Sequence, residues 1–268
     1  LHVPADGTNN QTNSTILDSS TNAFTVTNSG TIGQGTFSPY YDNWSTYFTG
    51  SSGIEFTNNA ACTLGSSNFT LECWFNLSAY SVGGNDSIFL NWNYSGNGQS
   101  GMAVKVSSSG ILSMTCSLNG ANTEFYKPAS TTISLNTWYH VAIVRNSNTV
   151  TLYLNGVAEN SATISGSIAP NGNNMIGMFY ATAYGGYSQY FNGYVSNVRF
   201  VKSAVYNTAF TPSTSNLTNI TNTVGDRTYS NVKYDINSNI INNSILIPPP
   251  GGMFEIKYKQ QDITGTAS

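Results

Sequence analysis

The chain has 268 residues, a formal net charge of −3 and only 8% Asp, Glu, Lys and Arg, against about a quarter in an ordinary globular domain. Nine basic residues leave no electrostatic footprint for nucleic acid, and the lack of any apolar run of about 18 residues argues against a membrane-inserted helix. Aromatic residues reach 13% while Asn, Ser, Thr and Gly supply the polarity, a mixture that opposes disorder and suits short strands and tight turns over long helices.

The opening LHVPADGTNNQTNST carries neither an initiator Met nor a signal-peptide hydrophobic region, so a start inside a larger or processed polypeptide is expected. A strand is predicted at 54–56. At 69–75 (FTLECWF) apolar residues hold the odd positions and polar ones most of the even positions, Trp74 excepted; this is the period of a half-buried strand. Cys73 falls on the apolar face and is expected to be a small buried residue. With Cys62 and Cys116 it makes an odd set, in no zinc spacing and with no disulfide framework.

Further strands are predicted at 87–92, 102–106 and 112–118. Residues 137–145 (TWYHVAIVR) form a nearly continuous apolar run, the mark of a central strand. After a polar turn, Val150, Leu152 and Leu154 alternate with polar residues, and Asn155-Gly156 supplies a type I′ turn signal. Strands at 175–178 and 194–201 follow. Many short strands at this spacing predict two packed antiparallel sheets. The composition changes after Pro212. Accordingly, 1–14 is expected to be an extended segment, 15–212 the sandwich, 213–225 a linker, and 226–268 a β-rich tail interrupted by PPPGG. Such a tail is too short for its own core and is expected to pack on the sandwich or on a sister chain.

Five blocks resemble the laminin-G-like jelly-roll family in its bacteriophage virion form. They are 18–26 (DSSTNAFTV) with 35–40 (GTFSPY); FTLECWF at 69–75; WYHVAIVR at 138–145; LYLNG at 152–156; and GYVSNVRF at 193–200 with AVY at 204–206 and FTP at 210–212. The resemblance implies an all-β, two-sheet antiparallel jelly-roll sandwich, concanavalin A-like, with a small β-rich C-terminal extension. It also implies a non-enzymatic virion structural or decoration protein on the virion surface, outside the cell. Its expected partners are other virion subunits in a homo-oligomer, trimeric by analogy with fibre proteins. The alternative is a receptor-binding module for a host cell-surface glycan.

The candidate site residues divide by chemistry. Hydrolytic relatives carry a carboxylate cluster on one strand, whereas Glu72 has no carboxylate at 70, 74 or 76, so no catalytic pair is expected. Glu72 and His140 are read as hydrogen-bonded structural residues, and Arg145 and Arg199 as partners for buried carbonyls or for Glu72. Sugars stack on aromatic rings and bond to Asn and backbone groups. Two segments, read as loops, offer that mixture: Trp92 and Tyr94 among Asn residues, and the run holding Tyr180, Tyr184, Tyr187 and Tyr190. The same rings serve equally to close a core or a subunit contact. No cofactor is required. Calcium is the family's usual ligand at the sandwich rim, and Asp42 and Asp86, read as loop residues, are the carboxylates placed among other oxygen donors, a pattern shared with simple Asx turns.

Overall fold

The computed structural model describes residues 2–3, 16–20, 22–40, 44–57, 61–81, 84–95, 98–120, 125–168, 173–181 and 186–215; for 2, 90–95, 98–100, 119–120, 180–181 and 187 it describes the backbone course only. All lie in the unit Leu1–Ile220. The expected tail, 226–268, lies outside the described residues.

Every regular element among the described residues is a strand. In chain order these are β1 (His2–Val3), β2 (Val26–Ser29), β3 (Ile32–Gly35), β4 (Ser45–Thr49), β5 (Gly53–Phe56), β6 (Phe69–Leu77), β7 (Asn85–Ser95), β8 (Gly98–Ser107) and β9 (Ile111–Gly120). They continue as β10 (Phe125–Thr132), β11 (Trp138–Asn146), β12 (Thr149–Leu154), β13 (Val157–Thr163), β14 (Asn174–Ile176), β15 (Phe179–Ala181), β16 (Gly186–Ser188) and β17 (Asn192–Val201). Sheet A runs β13-β12-β11-β6-β17-β4-β3, with β1 on β17. Sheet B runs β10-β9-β8-β7-β14-β5-β2, with β15 on β7 and β16 on β15. The pairings are antiparallel apart from β15 on β7, which meet in parallel register at Ala181 and Tyr94.

The alternation in β6 orients the whole sandwich. Phe69, Leu71, Cys73, Phe75 and Leu77 are each at most 3% exposed and enter one core with Phe89, Met102, Val104, Met114 and Cys116 of sheet B. Burying side chains of this size stabilises by about 1.5–3 kcal/mol each before entropy is set against it. Glu72, Trp74 and Asn76 therefore take the outer face of sheet A. Cys73 is buried, as its position on the apolar face requires, and all three cysteines are free thiols.

The expected strands at 54–56, 69–75, 87–92, 102–106, 112–118, 137–145, 150–154 and 194–201 coincide with observed strands, and the one expected at 175–178 is corrected to end at Ile176, because Gly177 turns the chain with φ of +78°. Asn155 and Gly156 adopt φ of +50° and +79°, the two positive values a type I′ turn needs. Gly156 has a second reason to lack a side chain: a Cβ there would run into the carbonyl oxygen of Phe210. Strands β2, β3, β4, β10 and β13 were not foreseen. Their sequences are polar, and β10 contains Pro128, which sits without penalty because β10 is an edge strand. The edges β10 and β13 are joined through Glu159, whose carboxylate accepts from the backbone N–H and hydroxyl of both Ser130 and Thr131 at 2.5–3.0 Å.

Candidate functional site

A buried carboxylate on one sheet and a half-buried ammonium on the other lie on opposite outer faces. On sheet A, Glu72 is 1% exposed, and register places Ala142 of β11 and Arg199 of β17 beside it. Arg199 Nε donates to Glu72 Oε1 at 2.8 Å and its NH2 group to the same oxygen at 2.5 Å. His140 Nε2 lies 3.1 Å from Oε2, and the Tyr206 hydroxyl donates to Oε2 at 2.8 Å. Because a carboxylate only accepts, Nε2 is the protonated nitrogen of His140. Burial alone pushes the Glu72 carboxyl up; the His140 hydrogen bond and the Arg199 charge outweigh it and hold it below the usual carboxylate range. Burial and the neighbouring carboxylate push the Tyr206 phenol up.

A strap closes over this cluster. Thr70 Oγ1 donates to the Ser203 carbonyl at 2.8 Å and accepts from the Val205 N–H at 2.9 Å. Tyr206 stacks on Phe210 with ring centroids 3.5 Å apart, and both rest on Ala142, Val144 and Tyr153. Glu72, His140 and Arg199 are thereby in the structural roles their strand positions indicated. Arg145 is likewise a strut: it donates to the carbonyls of Ser147, Gly65 and Gly166 at 2.8–3.0 Å.

On sheet B the charge is Lys105. Register sets it between Ser87 of β7 and Ser113 of β9, and the following residue, Val106, points to the core, so Lys105 faces outward. Its Nζ donates to Gln189 Oε1 at 2.9 Å and stands 4.6 Å from the centroid of the Phe179 ring. Burial lowers its pKa to about 8. Phe179 belongs to a small apolar cluster with Ala103, Met175 and Met178, with Tyr190 packed against it. The side chains of Ser87, which is fully buried, and of Ser188 have hydroxyls without a hydrogen-bond partner.

The aromatic residues singled out for sugar stacking converge on this same part of sheet B. Trp92 pairs with Gly101 and Tyr94 with Gln99 across β7 and β8. Tyr180 of β15 is in register with Tyr187 of β16, and Ala181, next to Tyr180, pairs with Tyr94. The two segments read as separate loops are thus corrected: 91–95 continues β7, and Tyr180 and Tyr187 sit on the two strands laid beside it. Extended pairing with β8 as far as Ser95 and Gly98 is what turns the Asn-rich stretch into strand. Tyr190 is half-buried against the apolar cluster. Tyr184 lies outside the described residues.

Of the two candidate calcium ligands, Asp42 lies outside the described residues. Asp86 is not a loop residue: it is buried in β7, where one oxygen accepts from the Ser81 N–H at 2.9 Å and the other has no hydrogen-bond partner. Burial, opposed by that bond, raises its pKa to about 6. Among the described residues no three His, Cys, Asp or Glu side chains converge as a metal-binding group.

Lys105 was not singled out from the sequence. A lone Lys in an alternating strand carries no signal of its own, and its burial arises from Phe179 and Gln189, more than 70 residues further along. An aromatic row on the outer face of sheet A was also missed. There Trp138, Tyr194 and Tyr47 lie side by side, and Phe37, 50% exposed, caps them at 4.7 Å from Tyr194 and 5.5 Å from Trp138.

Residues 48–213 match the family model described as the concanavalin A-like lectin/glucanases superfamily, Laminin_G_3. No curated protein sequence matches the chain. Among solved structures, the binding domain of Paraclostridial Mosquitocidal Protein 1 is similar at a TM-score of 0.59 and 16% identity, over 76% of this chain and 49% of that one. The botulinum neurotoxin serotype G binding domain gives 0.57 and 14%, over 77% and 48%. A botulinum neurotoxin type C structure gives 0.53 and 13%, over 77% and 48%. The chain spans about half the length of these structures, and at such identities the likeness is one of fold. With the family model covering well over half of its residues, the chain belongs to the concanavalin A-like lectin/glucanases superfamily.

Proposed function

We propose that the chain is a non-catalytic glycan-recognition module whose sugar-binding surface is the outer face of sheet B around β7, β15 and β16. The observation that carries this reading is one of register. Residues Trp92 and Tyr94 and residues Tyr180 and Tyr187, nearly 90 positions apart in the chain, are brought onto three neighbouring strands of the sheet that also carries Lys105. Aromatic and polar residues gathered on one sheet offer the two things a sugar needs, a partner for its apolar C–H face and partners for its rim of hydroxyls.

The fold adds support. The botulinum neurotoxin type C structure, about half of which this chain spans, bears the description that cell entry depends on interaction with two ganglioside molecules, and the glycan reading is in keeping with that. Against catalysis, Glu72 already has its acceptor sites filled by donors and lies under the strap. It has no second carboxylate facing a shared cleft, as glycoside hydrolysis requires.

The biological setting follows from the phage-type sequence blocks. The module is displayed on a virion, beside other subunits, with residues 226–268 as the segment that joins sister chains, in trimers by analogy with fibre proteins. Light scattering on the full chain and on a version ending at Thr223 tests that part; two monomers would remove it.

The glycan reading is tested by array screening of the full chain with Trp92→Ala and Tyr187→Ala. Both variants should lose binding while Phe37→Ala keeps it. Loss with Phe37→Ala alone would move the site to the aromatic row of sheet A.

A further inference from the structure

The chemistry around Lys105 carries the glycan reading one step further and rests on it. A half-buried ammonium has three N–H donors and favours acceptors, preferably charged ones. Lys105 Nζ has one neutral acceptor, Gln189 Oε1, and the face of Phe179. Among the described residues no carboxylate pairs with Lys105, whereas Glu72 holds both His140 and Arg199. Beside it in register, on the same outer face, Ser87 is 0% exposed with its hydroxyl unpartnered. A second unpartnered hydroxyl, that of Ser188, belongs to the residue paired with Phe179. Buried polar groups without partners are uncommon in folded proteins. Here two hydroxyls and an under-coordinated cation gather within one pair of strands and the hairpin laid over them.

We infer that this surface is built for an acidic saccharide, whose carboxylate is held by Lys105 Nζ. A carboxylate only accepts, with room for about four hydrogen bonds, which is what a cation short of acceptors lacks. A neutral sugar hydroxyl can accept from Lys105 Nζ but leaves its charge uncompensated. Attraction at a distance plays no part, because the chain as a whole is negative at −3 and a polyanion is repelled until it docks. Selectivity is therefore local, set by one cation.

The test is titration calorimetry on the full chain with two matched pairs: trigalacturonate against its methyl ester, and sialyllactose against lactose. At least one acid should bind roughly tenfold or more tighter than its neutral partner, the scale of one charge-assisted hydrogen bond. Lys105→Met should erase that preference and Lys105→Arg keep much of it. Lys127→Met, which removes the same charge from β10, should leave it intact. The preference should also fade as pH rises through about 8, where the ammonium loses its proton.

Equal binding within both pairs, with Trp92→Ala still destructive, would overturn the role of Lys105 and leave the glycan reading standing. An acid preference that survives in Lys105→Met would do the same. Equally tight binding of triglutamate would show that carboxylates rather than sugars are read and would overturn both. So would the absence of binding to all four saccharides. Melting temperatures of the variants equal to or above that of the parent exclude misfolding as the cause of a loss.

Discussion

Glu72 and Lys105 are the same problem solved to different degrees. Each is a charged side chain on the outer face of a sheet, Glu72 drawn fully out of water and Lys105 partly. Around Glu72 the fold collects Arg199, His140 and Tyr206 from three different places in the chain and seals them under a strap. Around Lys105 it places one amide oxygen and one ring. The saturated charge is a scaffold part: nothing remains for a ligand to offer it. The unsaturated one lowers the stability of the free protein, and that cost is recoverable when an anion arrives. The degree of satisfaction, more than burial or charge, distinguishes a strut from a site.

The sharpest way to break the comparison is Glu72→Ala. It leaves a guanidinium, an imidazole and a phenol facing an empty position, and stability should fall by about 3–5 kcal/mol in urea denaturation. A loss below 1 kcal/mol would mean that the cluster is not the strut described.

Lys105→Met should act in the opposite sense. The folded pKa of about 8 is below the ~10.4 of an unfolded lysine, so the cost of Lys105 is absent above ~10.4 and is complete once pH has fallen through about 8. Replacing Lys105 should abolish that pH dependence and raise stability at pH 7 by about 1–2 kcal/mol. Denaturation midpoints between pH 7 and 10.5 show whether it does.

Asp86 sharpens the contrast, being under-satisfied but turned away from the outer face. Its folded pKa of about 6 stands above the ~3.9 of an unfolded Asp. Its contribution is therefore full at acid pH and lost as pH rises through about 6. Asp86→Asn should stabilise at pH 7 by about 1 kcal/mol without touching saccharide binding. A fall in melting temperature on adding a chelator, seen in the parent and absent from this variant, would instead make Asp86 a cation ligand. The smallest effect is expected at Glu159, saturated like Glu72 but largely exposed. Glu159→Gln should cost about 0.5–1 kcal/mol, as solvent replaces much of what is lost.

The sequence made the strut visible and left the site hidden. Strict alternation in 69–75 puts Glu72 on one face, and the strands holding His140 and Arg199 are among the most apolar in the chain, so their polar members had to be paired. The Asn155-Gly156 turn is legible for the same local reason: two positive φ values select those residues. Lys105, by contrast, owes its environment to β15 and β16, three-residue strands too short to leave a periodic trace. The aromatic residues on those strands were recognised by type. That they adjoin Trp92 and Tyr94 depends on a parallel contact which no local pattern encodes.

The strap over Glu72 also bears on how the chain reaches its folded state during synthesis. The phenol that completes the cluster lies 134 residues beyond the carboxylate, and Arg199 lies 127 beyond it. A nascent chain that has emerged only through β13 can pair β6 with β11, yet Glu72 still lacks two of its three partners and stays hydrated. Sheet A then cannot close, because β17, which separates β6 from β4, is the last of its described strands to be translated. Folding of this module is thus held back until its final strand and strap leave the ribosome, the slow, non-local order expected where contacts are distant in sequence.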